Sequence, residues 1–397
     1  MSPNQFASLW TLAPDITFLN HGSFGACPRA VLDEQSRLRG LMEREPVRFL
    51  WRELEERLDQ ARQRVGRFVN ATPGNIAFLV NATTGINAVL RSLSFPKGAE
   101  LLTTSHVYNA CGNALRYVAD RDDLEIVIAE IPYPVKDPED VVDAILSRCT
   151  EKTHLALIDH VTSATGLVLP IERIVSELKD RGVDTLVDGA HAPGMVEVDI
   201  ERMQPAFYAA NCHKWMCAPK GAAFLYVAPE YRDEIRPLTI SHGANSTRED
   251  RSRFLLEFDW TGTQDTTSFL TVPFSLDYLE GLLPGGWDEI RSRNRALALR
   301  ARTILFEALD LTPPCPESMI GTLVNVPLRP LADRVKTSLI DSTELHDILY
   351  TDYNIEAMTQ AFAGPEDLAI RVSAMLYNTE DQYQELADAL IASLKIQ

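Results

Sequence analysis

Lys214 stands in the stretch NCHKWMCAPKG, beside His213 and between Cys212 and Cys217. Three chemistries fit that setting. A solvated turn between the apolar run AFYAA and the strand-like AAFLYV asks nothing of the lysine. A metal knuckle would use Cys212, His213 and Cys217. Four residues separate its two thiols and no second cysteine pair follows, which is a poor zinc pattern. A lysine at a strand end can also act covalently, its amine forming a Schiff base with an aldehyde.

Two further stretches bear on the choice. In NATTGIN, the residues Ala82, Thr83, Thr84 and Gly85 follow the apolar run IAFLV and open a helical pattern. Free backbone N–H groups at such a turn bind phosphate, although a plain N-cap uses the same letters. The turn matches neither a P-loop nor a dinucleotide fingerprint, which leaves a smaller monophosphate. In DGAHAPG, Asp188 ends the run DTLVDGA, with His191 three positions on. A buried carboxylate there needs a cationic partner, unless it merely caps the next turn. Anchor, carboxylate and amine, in that order and each at a strand end, are the parts that hold pyridoxal phosphate. Their joint occurrence outweighs the bland reading of each.

The elements that must position these residues are legible as periodicity. From about residue 60 to 230, apolar runs such as ELLTTS, EIVIAEI and HLALIDHV alternate with amphipathic patterns such as NALRYVAD and IERIVSELKDRG. The strands are too apolar to leave one face wet, which predicts an α/β fold with a mostly parallel sheet covered on both sides. Ligands of such sheets bind beyond the carboxyl ends of the strands. At LLPGGWDE the composition shifts. A long helical pattern from Asp288, the strand-like GTLVNVPL, the helix STELHDILY and the strand LAIRVSAML predict a smaller α+β domain. The expected division is a large domain over 20–283 and a small one over 1–19 with 284–397.

Length and charge bound the function. A chain of 397 residues exceeds one ordinary core. Its net charge of −18 repels phosphodiester backbones and anionic lipid, so neither nucleic acid nor membrane is expected as a partner. The start MSPNQFASLWTLAPDITFLN has no basic leader and no long apolar core, which points to a cytoplasmic protein. Six scattered cysteines suit free thiols in a reducing compartment.

The stretches FLNHGSFGACPRAVL, NATTGIN, SHVYNA, DHVTSATGLVLPI, DGAHAPG, NCHKWMCAPKGAAFL, FDWTGTQDTTSFL and RVSAMLYNT together resemble the class V aminotransferase family of pyridoxal-phosphate enzymes, fold type I. Within it they are most similar to the isopenicillin N epimerase-like branch. The resemblance implies a large domain with a seven-stranded type of sheet and a homodimer with shared sites. It implies that Lys214 is the Schiff-base lysine, Asp188 the partner of the pyridine nitrogen, and His191, with Ser163, the contact of the phenolic oxygen. Thr83 with the Ala82 and Thr84 backbone, and His213, resemble the phosphate ligands, joined by Thr263 from a second subunit. Tyr108 sits where the family stacks an aromatic ring on the cofactor, ahead of His106. Arg371 resembles the clamp for a substrate carboxylate, and Asn20 and His21 look like entrance residues.

The implied reaction begins with loss of the α-proton of an amino acid. Epimerisation follows if the proton returns on the other face; a cysteine or cystine C–S lyase results if a β-substituent leaves instead. A desulfurase would need a thiol on a flexible loop, whereas Cys315 in TPPCPES lies between stiffening prolines. Aminotransfer is the further alternative within the family. A non-catalytic scaffold would have no reason to keep amine, carboxylate and guanidinium at three strand ends. The charged run REDRSRF is either a basic recognition patch or a solvated loop.

Overall fold

The computed structural model describes residues 4–328, 342–361 and 368–394. A short strand, β1 (Thr17–Phe18), precedes the main sheet in the chain. That sheet comprises β2 (Ile76–Leu79), β3 (Glu100–Thr104), β4 (Glu125–Ala129), β5 (Thr153–Asp159), β6 (Asp184–Asp188), β7 (Phe207–Asn211) and β8 (Ala223–Val227). Its seven strands lie in the order β2-β8-β7-β6-β5-β3-β4. Strands β7, β6, β5, β3 and β4 run parallel, and β8 runs antiparallel between β7 and β2. The mostly parallel α/β sheet expected from the sequence is thus present.

Alternation along single strands shows why both faces need cover. Leu155 and Leu157 of β5 enter one apolar cluster with Ile86, Val89 and Leu115. Ala156 and Ile158, the intervening residues, enter the other with Val141, Ile174 and Leu178. With a side-chain period of two, a strand apolar at every position buries both faces. The helices Ala82–Ser92 and Asn109–Asp122 supply one layer, and Pro138–Leu146 and Ile171–Asp180 the other.

After the helix Gly286–Leu309 come β9 (Leu323–Pro327), β10 (Ile355–Glu356), β11 (Met358–Ala361) and β12 (Leu368–Ser373). Strands β11, β12 and β9 form an antiparallel sheet in that order. Strand β10 pairs in parallel with β1, which ties the N-terminal stretch to the last third of the chain. Arg371 lies on the central strand of this smaller sheet, opposite Asn325 and Met358. No helix among the described residues is long and apolar enough to cross a membrane.

Candidate active site

The carboxyl ends of β5, β6 and β7 open onto a cavity of about 230 Å³. Asp159, Asp188 and Asn211, the last residues of those strands, line it together with Thr83, Tyr108 and Lys214. Asp159 and Asp188 are direct partners in the parallel register, so the pleat sends both carboxylates to the same side of the sheet. Asp188 receives the Ala190 N–H at 3.0 Å and the Cys111 thiol at 3.1 Å. Asp159 Oδ2 has no hydrogen-bond partner among the described residues. Burial, then the neighbouring Asp188, pushes the Asp159 carboxyl well above its ordinary range, and burial likewise raises Asp188. Gly189 follows because a Cβ there would lie 2.3 Å from the Tyr208 ring.

The amine of Lys214 lies 3.0 Å from His191 Nε2, while Trp215 Nε1 donates to His191 Nδ1 at 3.3 Å. An indole N–H can only donate. His191 Nδ1 therefore carries a lone pair and Nε2 the proton, which it donates to Lys214 Nζ. Only a neutral amine accepts it. Burial, with the charge of Arg371 adding to it, lowers the lysine to about 7, in agreement with that geometry. His191 itself is held well below its ordinary value by burial and by Lys214, so it stays neutral.

The phosphate turn is more selective than the sequence suggests. Asn81 caps the helix Ala82–Ser92, its Oδ1 accepting from the Thr84 N–H and hydroxyl at 2.8 and 2.9 Å. Asn211 Oδ1 accepts the Ala82 N–H at 2.9 Å. Both N–H groups are thus satisfied by side chains, and Thr84 does not line the cavity. Thr83 does, as does His213, whose Nδ1 donates to Ala222 O at 3.0 Å and leaves Nε2 for the cavity. That bond also draws the ring away from a metal knuckle, and Cys212 lies in the apolar core.

Arg371 is 2% exposed and enters no ion pair among the described residues. Its Nη1 donates to the Ser163 carbonyl and its Nη2 to Ser23 Oγ at 3.1 Å, while Nε has no partner among the described residues. Ser163 and Ser23 both line the cavity. Burial lowers the guanidinium to about 10, so it keeps its charge at neutral pH.

Two expected entrance residues do other work. His21 is fully buried; its Nε2 donates to the Lys214 carbonyl at 3.0 Å and its Nδ1 meets the Tyr377 hydroxyl at 2.8 Å. It steadies the lysine's backbone and lines no part of the cavity. Asn20 is buried against Glu356, with its Nδ2 donating to Oε1 at 2.8 Å. Their neighbours Ser23 and Phe24 line the cavity in their place. Gly25 next to them has φ +69° and meets the His213 carbonyl so closely that a Cβ would lie 1.9 Å from it. Thr263 is exposed and outside the cavity. His106 is buried against Thr165 rather than lining the cavity, whereas Tyr108 does line it.

Sequence reasoning missed Asp159, Asn211, Ser23 and Phe24. Asp159 and Asn211 carried the signal already used for Asp188, a polar residue closing an apolar strand. The run REDRSRF turns out to be an ion-pair seam, Arg248 meeting Glu55 and Asp250, and Arg251 meeting Asp59 and Asp259. Its arginines are all paired within the fold, Arg253 with Glu257. Cys315 is buried and lies outside the cavity, its carbonyl held by Arg302.

Comparison with known proteins gives the family and the fold. The family described as aminotransferase class-V matches residues 27–386. Isopenicillin N epimerase of Streptomyces clavuligerus is 34% identical over 96% of this chain and 96% of its own. A probable chloroplastic L-cysteine desulfhydrase of Arabidopsis thaliana is 29% identical over 95% of this chain and 82% of its own. Among solved structures, cysteine desulfurase from Thermococcus onnurineus NA1 superposes with a TM-score of 0.81 at 18% identity, covering 100% of this chain and 99% of that one. The cystine C-S lyase C-DES in complex with cysteine persulfide gives 0.78 at 21%, covering 95% and 97%. These likenesses establish the fold.

Proposed function

We propose, from the premise that the chain belongs to the class V aminotransferase family of pyridoxal-phosphate-dependent enzymes, that it takes the α-proton from an amino acid and returns it with inversion, as an isopenicillin N epimerase-like epimerase or racemase. The observation that carries this reading is the Lys214 amine 3.0 Å from a defined tautomer of His191, in a cavity lined by two buried carboxylates and by Ser23 and Ser163, which hold the Arg371 guanidinium. The residues fit the cofactor: buried carboxylates that enter no ion pair among the described residues suit a protonated pyridine nitrogen, and an amine lowered to about 7 suits an aldehyde.

When bound, pyridoxal phosphate supplies an aldehyde for the substrate amine and a protonated ring that draws off the electron pair left at the α-carbon. The chain's own residues do the rest. Asp188 holds the positive end of the ring. Thr83 and His213 take the phosphate, and Tyr108 covers the ring face. Ser163 and His191 meet the phenolic oxygen. Arg371 binds the substrate carboxylate through its open fork. Lys214 in its neutral form accepts the α-proton from its own face, and inversion needs a proton delivered from the opposite face. Thr263, exposed in one subunit, reaches the phosphate of a second, which makes the working unit a homodimer.

A second reading is β-elimination from cysteine or cystine, supported by the desulfhydrase likeness across 95% of the chain. The same amine serves it, because both reactions begin with the α-proton. A desulfurase step on a protein thiol has less support, since Cys315 is buried outside the cavity.

Incubation with a panel of amino acids, cystine and peptide-linked amino acids in deuterated water tests both. The expected result is deuterium at the α-carbon of a true substrate, with inversion and no pyruvate. Pyruvate with sulfide or persulfide would assign the lyase. Absence of exchange across the panel, with the cofactor normally bound, would defeat both readings.

A further inference from the structure

A carboxylate stands behind Arg371 without touching it. Arg371 Nη2 donates to Ser23 Oγ at 3.1 Å, Ser23 Oγ donates to Asn20 Oδ1 at 2.6 Å, and Asn20 Nδ2 donates to Glu356 Oε1 at 2.8 Å. His346 Nε2 meets the same carboxylate at 3.2 Å. Each link runs one way. A guanidinium only donates and an ionised carboxylate only accepts, so the single proton of Ser23 must point at Asn20. The Asn20 amide must in turn present its oxygen to Ser23 and its nitrogen to Glu356. Turning that amide over would set its oxygen against the carboxylate.

The backbone fixes the ends of this chain of bonds. Phe18 is the register partner of Glu356, and the Leu19 N–H donates to the Glu356 carbonyl at 2.9 Å. On the other side the Ser373 N–H donates to the Leu19 carbonyl at 2.8 Å, and the Gly22 N–H to Ser373 Oγ at 2.9 Å. The segment from Phe18 to Ser23 is laced between the strand of Glu356 and the strand of Arg371.

A carboxylate in direct contact would satisfy the guanidinium and compete with any anionic ligand. At two neutral side chains' remove it orients without neutralising. We infer that Glu356 is a positioning residue which, through Asn20 and Ser23, sets the plane of the Arg371 guanidinium for an incoming carboxylate and leaves its charge unspent. This rests on the reading of Arg371 as the substrate-carboxylate group.

The test uses the holoenzyme, with dissociation constants for glycine and for glycinamide read from the cofactor's absorption band. Asn20→Asp preserves shape but sets carboxylate against carboxylate. It is expected to weaken glycine by about tenfold or more, a buried charge-assisted hydrogen bond being at stake, while glycinamide stays within about twofold. Glu356→Gln keeps an acceptor for Asn20 and has the smaller effect. The double variant Asn20→Asp with Glu356→Gln is expected to recover glycine affinity. The new glutamine's amide then donates to the new aspartate, which still accepts from Ser23. A double variant as weak as Asn20→Asp alone would overturn the inference, as would equal losses for glycine and glycinamide. Arg371→Lys provides the separate control: if it leaves the glycine-to-glycinamide ratio unchanged, the carboxylate-clamp reading itself fails. A glycine-to-glycinamide ratio of dissociation constants that rises with Arg371→Lys but ignores Asn20→Asp rejects the positioning role alone.

Discussion

Trp215 donates its indole N–H to His191 Nδ1 at 3.3 Å, and His191 in turn meets the Lys214 amine at 3.0 Å. Two adjacent residues of the chain are thus coupled through a third that comes from the preceding strand end. The indole selects the tautomer, and the tautomer selects the neutral form of the lysine. Trp215→Phe removes that selection and lets His191 turn its lone pair toward the amine, a geometry that favours the ammonium. The expected outcome is an upward move, by about one pH unit, in the midpoint for capture of pyridoxal phosphate by the cofactor-stripped protein. An unmoved midpoint would detach Trp215 from the protonation of Lys214.

Burial of Lys214 also has a stability signature. Its folded value of about 7 lies below the ordinary 10.5, so the unfolded chain binds more protons between those two pH values. Stability therefore rises with pH through that window, and the cost of burying the lysine is full below about 7. Lys214→Met is expected to melt higher than the parent at pH 6.5 when both lack cofactor, by on the order of a few kcal/mol. The advantage should fade as the pH approaches 10.5. With cofactor supplied, the same variant loses turnover entirely, because no other amine among the described residues lines the cavity.

How much of this could be read in the sequence depends on how far apart the partners lie. Asp188, Lys214 and Thr83 announce themselves locally, as polar residues where an apolar strand gives way to a turn. Asp159 obeys the same rule at the end of HLALID, yet the polar residues that follow it draw attention to Ser163 instead. His21 could not be placed that way. Its partner, the Lys214 carbonyl, is 193 positions away, and a histidine beside a glycine-rich turn reads as exposed until the fold buries it. The parallel sheet is legible because strands covered on both faces are apolar throughout; the antiparallel insertion of β8 leaves no such mark.

Arg371→Lys is expected to raise the dissociation constant of an amino acid substrate by roughly ten- to a hundredfold, with the cofactor's absorption unchanged. An ammonium offers a point charge where the guanidinium offers a planar fork, and the carbonyl of Ser163 with the hydroxyl of Ser23 holds that fork in place. Titration of the holoenzyme with substrate checks this. Normal affinity would remove Arg371 from substrate binding.

The two strand-end carboxylates separate stability from function. Both titrate above their ordinary 3.8, Asp159 because of burial and of Asp188 beside it. A raised folded value means that the folded state holds more protons than the unfolded one above pH 3.8, so stability falls as pH climbs through the folded value. Without cofactor, Asp159→Asn removes that cost and leaves an amide that can donate toward Asp188. The stripped variant is expected to melt higher than the parent at pH 8, with the difference shrinking toward pH 4.5. In the loaded enzyme a protonated pyridine nitrogen offsets the like charges, so the gain should be smaller than in the stripped form. Asp188→Asn tests the other half: it should retain cofactor and lose about a hundredfold or more in rate, because a neutral amide no longer favours the protonated ring. Melting curves of stripped and loaded protein across that pH range, set beside the exchange rate of the α-proton, distinguish the two positions. Equal effects of the two substitutions on rate would mean that the ring's charge is shared by the pair rather than held by Asp188.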